Sequence, residues 1–295
     1  MTFDMNRTWT QAISLVRANF QLLAIIAGVF LLLPTLAVYV LNPDFLQIMA
    51  LAGDPEAMQA KMNSILPGLI GYGTVAFICQ MVGYTGMIAL IGGNRPTVGQ
   101  ALKQGASAMP TIIGSVIVFF IGFFLAALVV GLALGLVIVL LIFIGSAIGL
   151  SVESGGGVIV GIIVGVALYA AVVVAELYVM VRFMMTLPVI VLERQYNPIK
   201  ALVRSWKVTK PRAWAILGFV LLLFVAYFVI VILAVMLLSA LGIVFGGQMS
   251  EGSILGFSLV SAVLGAVVAM LFSAILVSMH QQLSGDTAPM ADIFA

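Results

Sequence analysis

Residues 110–150 read PTIIGSVIVFFIGFFLAALVVGLALGLVIVLLIFIGSAIGL, forty-one positions without a charged side chain. A second run, Gly156–Leu192, begins after five intervening residues and holds only two charges, Glu176 and Arg182. The hydrocarbon core of a bilayer is about 30 Å thick and is crossed by about 20 helical residues. At 1.5 Å per residue, Pro110–Leu150 as one helix would measure about 60 Å. Each run therefore reads either as a single long or kinked helix that leaves the membrane, or as a tight pair of spans. Both readings put these residues in lipid.

The rest of the chain agrees. Of its 295 residues 64% are hydrophobic and 7% charged, with a mean hydropathy of +1.30. Soluble domains carry about one quarter charged residues, and a water-facing surface could not be covered with so few. The composition predicts an all-α, polytopic transmembrane helical bundle forming a single integral membrane domain over 1–295. Gln21–Leu41 and Leu66–Ile91 are long enough to span, and Ala215–Phe245 and Ile254–Met279 form a later pair. With the two long runs unsplit, six spans result. One set of connections then carries Arg7, Arg17, Arg95, Lys103 and the basic stretch Arg194–Arg212, and the other carries Asp44, Asp54, Glu56, Lys61, Glu153 and Glu251. That is the positive-inside distribution, and it predicts cytoplasmic N- and C-termini. Splitting both long runs, for eight spans, keeps most of the parity and stays open.

No compact basic region or small-residue cleavage site frames the first apolar run, so the first span is expected to be retained. The single Cys79 and single His280 exclude an internal disulfide and a Cys/His metal cluster, and leave no histidine inside the membrane for a triad. His280 borders the C-terminal tail and is expected at the surface. No phosphate-binding loop, dinucleotide fingerprint, His-Glu metalloprotease motif or nucleophile elbow occurs. No catalytic residue, metal site or cofactor is expected, nor a nucleic-acid partner.

Three segments precede hairpins and share a pattern: Thr8–Arg17, Pro96–Lys103 and Pro198–Lys207. In the third, Ile199, Leu202, Val203 and Trp206 fall on one helical face while Lys200, Arg204 and Lys207 fall on another. Trp9, Ile13, Val16 and Phe20 make a comparable stripe in the first. Each reads as an amphipathic helix in the membrane interface leading into a hairpin, and a three-fold repeat over 1–92, 93–192 and 193–282 is one way to read them. Basic interfacial helices anchor and orient spans. The sharper expectation is a headgroup site for anionic lipid at Lys200, Arg204, Trp206, Lys207, Lys210 and Arg212.

The run Val181–Glu193, VRFMMTLPVIVLE, followed by Asn197–Lys210, NPIKALVRSWKVTK, resembles the signature of a bacterial family of polytopic membrane proteins. That family is similar to the membrane domain attached to some glycerophosphoryl diester phosphodiesterases. The Phe20…Leu33-Pro34 arrangement fits it too, so the likeness is expected to span the chain. The resemblance implies an inner-membrane protein with about six spans and no assigned activity. The diesterase domain proper is a soluble barrel of roughly 250 residues. No polar, alternating stretch of that length occurs here.

Glu176 and Arg182 are the charges deepest in apolar sequence. Such residues usually face a bundle interior, a polar path or an interface, and six residues apart they do not face each other. Arg182 is expected to be interfacial and to snorkel toward phosphates, or else to line a substrate or proton path. Gly157, Gly161 and Gly165 give two overlapping GxxxG steps, with Gly131/Gly135 and Gly145/Gly149 in the preceding run. They are expected to pack the third and fourth spans together. Pro34 and Pro188 are expected to kink their helices. The functional expectation is a structural or lipid-interacting envelope protein, with membrane lipids as partners. A transporter or channel for a small substrate is the alternative.

Overall fold

The computed structural model describes residues 3–41, 44, 48, 54–93, 96–147, 155–240 and 251–285. Among these the regular structure is helical throughout. α1 (Met5–Ala18) is followed by a first span built of α2 (Phe20–Ala27), a π-helical turn (Gly28–Leu32) and α3 (Leu33–Leu41). Then come α4 (Pro55–Gly92), α5 (Val98–Ala147), α6 (Gly155–Phe183), the short α7 (Thr186–Leu192) and α8 (Pro198–Thr209). A 3₁₀ turn (Lys210–Arg212) leads into α9 (Ala213–Ala240), and α10 (Glu251–Ser284) closes the described chain. Six helical runs are long and apolar enough to cross a membrane. The chain is a multi-pass integral membrane protein.

The two long runs are not split where they are described. α5 has 50 residues, about 75 Å at the α-helical rise, and continues through Pro110. α6 and α7 form one span broken at Met184–Met185. Pro188 accounts for the break: it has no N–H to donate, and its ring crowds the carbonyl four residues back, that of Met184. In the first span Pro34 does the same to the carbonyl of Phe30, and there the helix absorbs the defect as the π turn.

The three starts at one end of the bundle are capped. Asp4 Oδ1 accepts from Arg7 N at 3.0 Å, and Asn197 Oδ1 accepts from Lys200 N at 3.0 Å. Thr97 and Gln100 cap each other reciprocally at 3.0 and 3.3 Å. The middle segment differs from the other two in running unbroken into α5, while α1 and α8 are separate helices.

Packing is concentrated at that capped end. The buried core joins Leu23 and Ile26 of the first span, Met87 and Ile88 of α4, and Met185, Val189 and Ile190 around α7. Ile216 of α9 and Ala274–Met279 of α10 complete it. α1 docks on α10 through buried Thr8 and Ala12, with Ser278 Oγ donating to Thr8 O at 3.1 Å and Gln282 Nε2 to Thr8 Oγ1 at 3.0 Å. The stripe at Trp9 and Phe20 stays exposed beside this docked face. Farther along, α5, α6 and α9 expose large apolar side chains such as Phe124, Leu132, Tyr169, Leu222 and Met236.

The glycine expectation is corrected. A Cβ added at Gly131, Gly135 or Gly165 would meet nothing within 4 Å, so these do not bring α5 and α6 together. Gly157 and Gly161 lie on α6, but their surroundings fall outside the described residues, as do those of Gly145 and Gly149. The close approach lies elsewhere. A Cβ on Gly105 would stand 2.8 Å from Gly86 N and 2.6 Å from Thr85 Oγ1, and one on Gly83 would overlap Phe30. Small residues therefore do let helices approach in this protein, but between α4 and its two neighbours rather than between α5 and α6.

Candidate functional site

The two halves of the signature quoted above meet in space. The break at Met184–Met185 frees the carbonyl of Arg182 from the helical ladder, and α8 supplies its partners. Ser205 Oγ donates to it at 2.9 Å and Thr209 Oγ1 at 3.2 Å. α7 ends with Arg194 in the left-handed region at φ 52°, and neighbouring α5 caps the turn. There Gln104 Nε2 donates to Val191 O at 2.7 Å and Thr111 Oγ1 to Tyr196 O at 3.0 Å. α8 is thus pinned across the end of the fourth span.

α8 has three faces rather than two. Ala201, Leu202, Ser205, Val208 and Thr209 are buried against the protein. Ile199, Val203 and Trp206 remain exposed, flanked by Lys200, Arg204, Lys207 and Lys210. The expected apolar face is therefore present without Leu202, which has turned inward. An exposed stripe of two aliphatic residues and an indole beside three lysines suits a surface where acyl chains meet headgroups. Arg212 follows in the 3₁₀ turn.

Arg182 does not snorkel. Only 1% of it is exposed, and among the described residues its Nε and Nη1 have no hydrogen-bond acceptor. The guanidinium lies 4.0 Å from the ring centroid of Trp206 and 5.8 Å from that of Tyr178. Trp206 also packs on Phe183 at 5.3 Å, and Phe183 on Phe119 at 5.2 Å. Stacking on aromatic faces returns about 2 kcal/mol when desolvated. Removing a cation from water costs several kcal/mol even after relaxation. The stacking leaves this charge undercompensated.

Beside it, α5 and α6 splay apart around a cleft of about 900 Å³. Phe119, Phe123, Ala126 and Val130 line one wall, Leu168, Val172, Ala175 and Val179 the other, and Leu202, Val203, Trp206 and Lys207 of α8 close one end. Glu176 is exposed on the cleft wall, and Arg182 is not among the lining side chains. The two charges singled out from sequence are therefore not partners. A second, smaller cavity of about 260 Å³ lies between the first span, α4 and α10, with Thr35, Gln80, Tyr84 and Ser261 on its walls.

Glu193 was not singled out from sequence, yet it ties three elements together. Its carboxylate accepts from Arg204 Nε at 3.0 Å, and His280 Nε2 lies 3.0 Å from its other oxygen. Burial alone would raise the Glu193 pKa, but the hydrogen bonds from Arg204 and His280 outweigh it and hold the carboxyl below its usual range. Two expectations change. His280 is not at the surface, being 4% exposed, and Arg204 is engaged by a carboxylate rather than free for headgroups. Local periodicity could not reveal Glu193, because its histidine partner lies 87 positions away.

Six apolar helical runs, with a basic amphipathic helix laid across the end of one of them, define a polytopic α-helical membrane protein. Residues 157–284 match the family described as the membrane domain of glycerophosphoryl diester phosphodiesterase. The match takes in the whole Arg182–Lys210 signature and stops short of the Phe20…Leu33-Pro34 arrangement. It supports the resemblance over less than half of the chain. No catalytic domain of such an enzyme is evident in the 295 residues. No curated protein and no solved structure matches the chain.

Proposed function

We propose that this protein is a non-enzymatic, lipid-interacting component of the bacterial cytoplasmic membrane, with both termini and α8 on the cytoplasmic side. The observation that carries this reading is the α5–α6 cleft, apolar along both walls but for Glu176 and ended by Trp206 and Lys207 of a helix that exposes Lys200 and Lys210. Acyl chains suit its walls, and an anionic surface suits its end. The charge distribution supports the orientation. The transport alternative has less support: Glu176 faces this largely apolar cleft, and the cavity at Gln80 and Tyr84 is small and lined by other helices.

Lys200, Lys207 and Lys210 are the side chains to change, because replacing Arg204 would also break its pair with Glu193. Each basic residue near an anionic leaflet is worth about 1 kcal/mol, fading within a Debye length. In nanodiscs of mixed composition the wild type is expected to enrich labelled anionic lipid at low salt over a Lys200→Gln/Lys207→Gln/Lys210→Gln variant of unchanged topology. The gap should close as salt rises. Equal enrichment by both proteins would reduce these lysines to a role in membrane insertion.

A further inference from the structure

We infer that Arg182 is the phosphate-binding residue for one membrane phospholipid held with its acyl chains in the α5–α6 cleft. The inference rests on the lipid-interacting reading and names the headgroup contact within it.

The argument starts from charge. A guanidinium stays protonated, so burial cannot be relieved by losing the proton. Of the two carboxylates nearest in sequence, Glu176 is exposed on the cleft wall and not paired with Arg182, and Glu193 is held by Arg204 and His280. Two of the three guanidinium nitrogens are buried without an acceptor. The counter-ion that suits this fork is a planar or tetrahedral oxyanion able to take two N–H bonds.

Position supplies the rest. Arg182 stacks against Trp206, and the same indole lines the end of the cleft beside Lys207, so the guanidinium, which does not itself line the cleft, is reached from it where that indole moves aside. α8 carries its exposed apolar stripe and lysines at this level, which is where acyl chains give way to headgroups. An anion arriving here from the bilayer is joined to hydrocarbon, and the cleft leading away from Trp206 is apolar but for Glu176. A phospholipid meets both requirements. Free inorganic phosphate meets only the first and would leave the cleft walls uncovered.

The site is distinct from the enrichment at the lysines. It is one lipid, held by a desolvated contact, so it resists salt and does not depend on the net charge of the headgroup. The test counts phospholipid bound to the full-length protein by native mass spectrometry after extensive detergent washing at high salt. The wild type should keep one phospholipid, phosphatidylethanolamine as readily as phosphatidylglycerol, and should not keep added diacylglycerol. Arg182→Gln should lower occupancy roughly tenfold or more, the scale of a lost charge-assisted pair. Filling the cleft with Ala126→Phe and Ala171→Phe leaves Arg182 in place and should also expel the lipid, which covers the case in which Arg182→Gln does not fold. A wild type stripped bare by the wash, or full occupancy in either variant, overturns the inference. Retained diacylglycerol would also overturn it, by showing that the cleft holds chains without a phosphate. If the lysine variant loses anionic enrichment while Arg182→Gln keeps its lipid, the lipid-interacting reading stands and this site does not. If the wild type shows no anionic preference yet Arg182→Gln loses its lipid, the reverse holds.

Discussion

The first span, α4 and α10 make one half of this protein, and the outer lengths of α5, α6 and α9 make the other. Both are strongly apolar, with mean hydropathies of 1.8 to 2.6 in the first and 2.4 to 3.3 in the second, yet one is packed and the other is splayed. The most apolar stretches of the first, α4 and α10 spans are 17%, 50% and 44% buried, and those of the third, fourth and fifth spans are 0% buried. Hydrophobicity cannot account for the difference, because lipid tails satisfy a leucine as well as another leucine does. What separates the halves is specific contact. The packed half has Gly105 and Gly83 at close helix approaches, Ser278 and Gln282 on the backbone and side chain of α1, and a buried His280 latched to the Glu193 carboxylate. The splayed half offers branched and aromatic side chains to its surroundings.

The largest effect should come from placing the same side chain in each half. Gly105→Leu forces a side chain into the backbone of α4 and should cost about 3 kcal/mol. Gly165→Leu, with open space around it, should stay within about 0.5 kcal/mol of the wild type. Thermal melts of the two variants in one detergent compare them directly. Equal destabilisation would mean that the α5–α6 side is packed after all.

That contrast also shows what the sequence could carry. Six apolar runs, the helical class and the exposed stripe of α8 were all legible, because each is written in local composition or period. Gly131, Gly135 and Gly165 were misread for a physical reason. GxxxG spacing shows that a helix has a smooth face, but not that another helix lies on it. Gly105 sits within the run Gly105-Ala106-Ser107-Ala108, which has no such spacing. Burial of His280 and Leu202 likewise depends on elements distant in sequence, so their neighbours along the helix gave no sign of it. Arg182 lies between these cases: its isolation in apolar sequence singled it out, while its unpartnered burial under Trp206 appeared only in three dimensions.

A smaller effect is expected where the halves join. Glu193→Gln removes the charged acceptor of Arg204 and His280 and should cost about 1.5 kcal/mol. The sign of its pH dependence follows from the depressed carboxyl. The stabilisation from Glu193 is fully present above the carboxyl's unfolded-state pKa and is lost as pH falls through the lower folded-state value. The wild-type melting temperature should therefore drop toward that of Glu193→Gln in the acid range, and the two curves should converge there. A constant gap between them down to strongly acidic pH would show that the latch does not act through this carboxylate.

The contrast between the halves rests finally on whether lipid reaches the wall between α5 and α6. A photoreactive side chain placed at Gly131 on the cleft, or at Ala266 in the packed half, can be illuminated in membranes containing labelled phospholipid. Gly131 lines the cleft, whereas Ala266 is 7% exposed. The account predicts strong lipid adducts at Gly131 and few at Ala266. Protein-only adducts joining Gly131 to α6, with no labelled lipid, would contradict it.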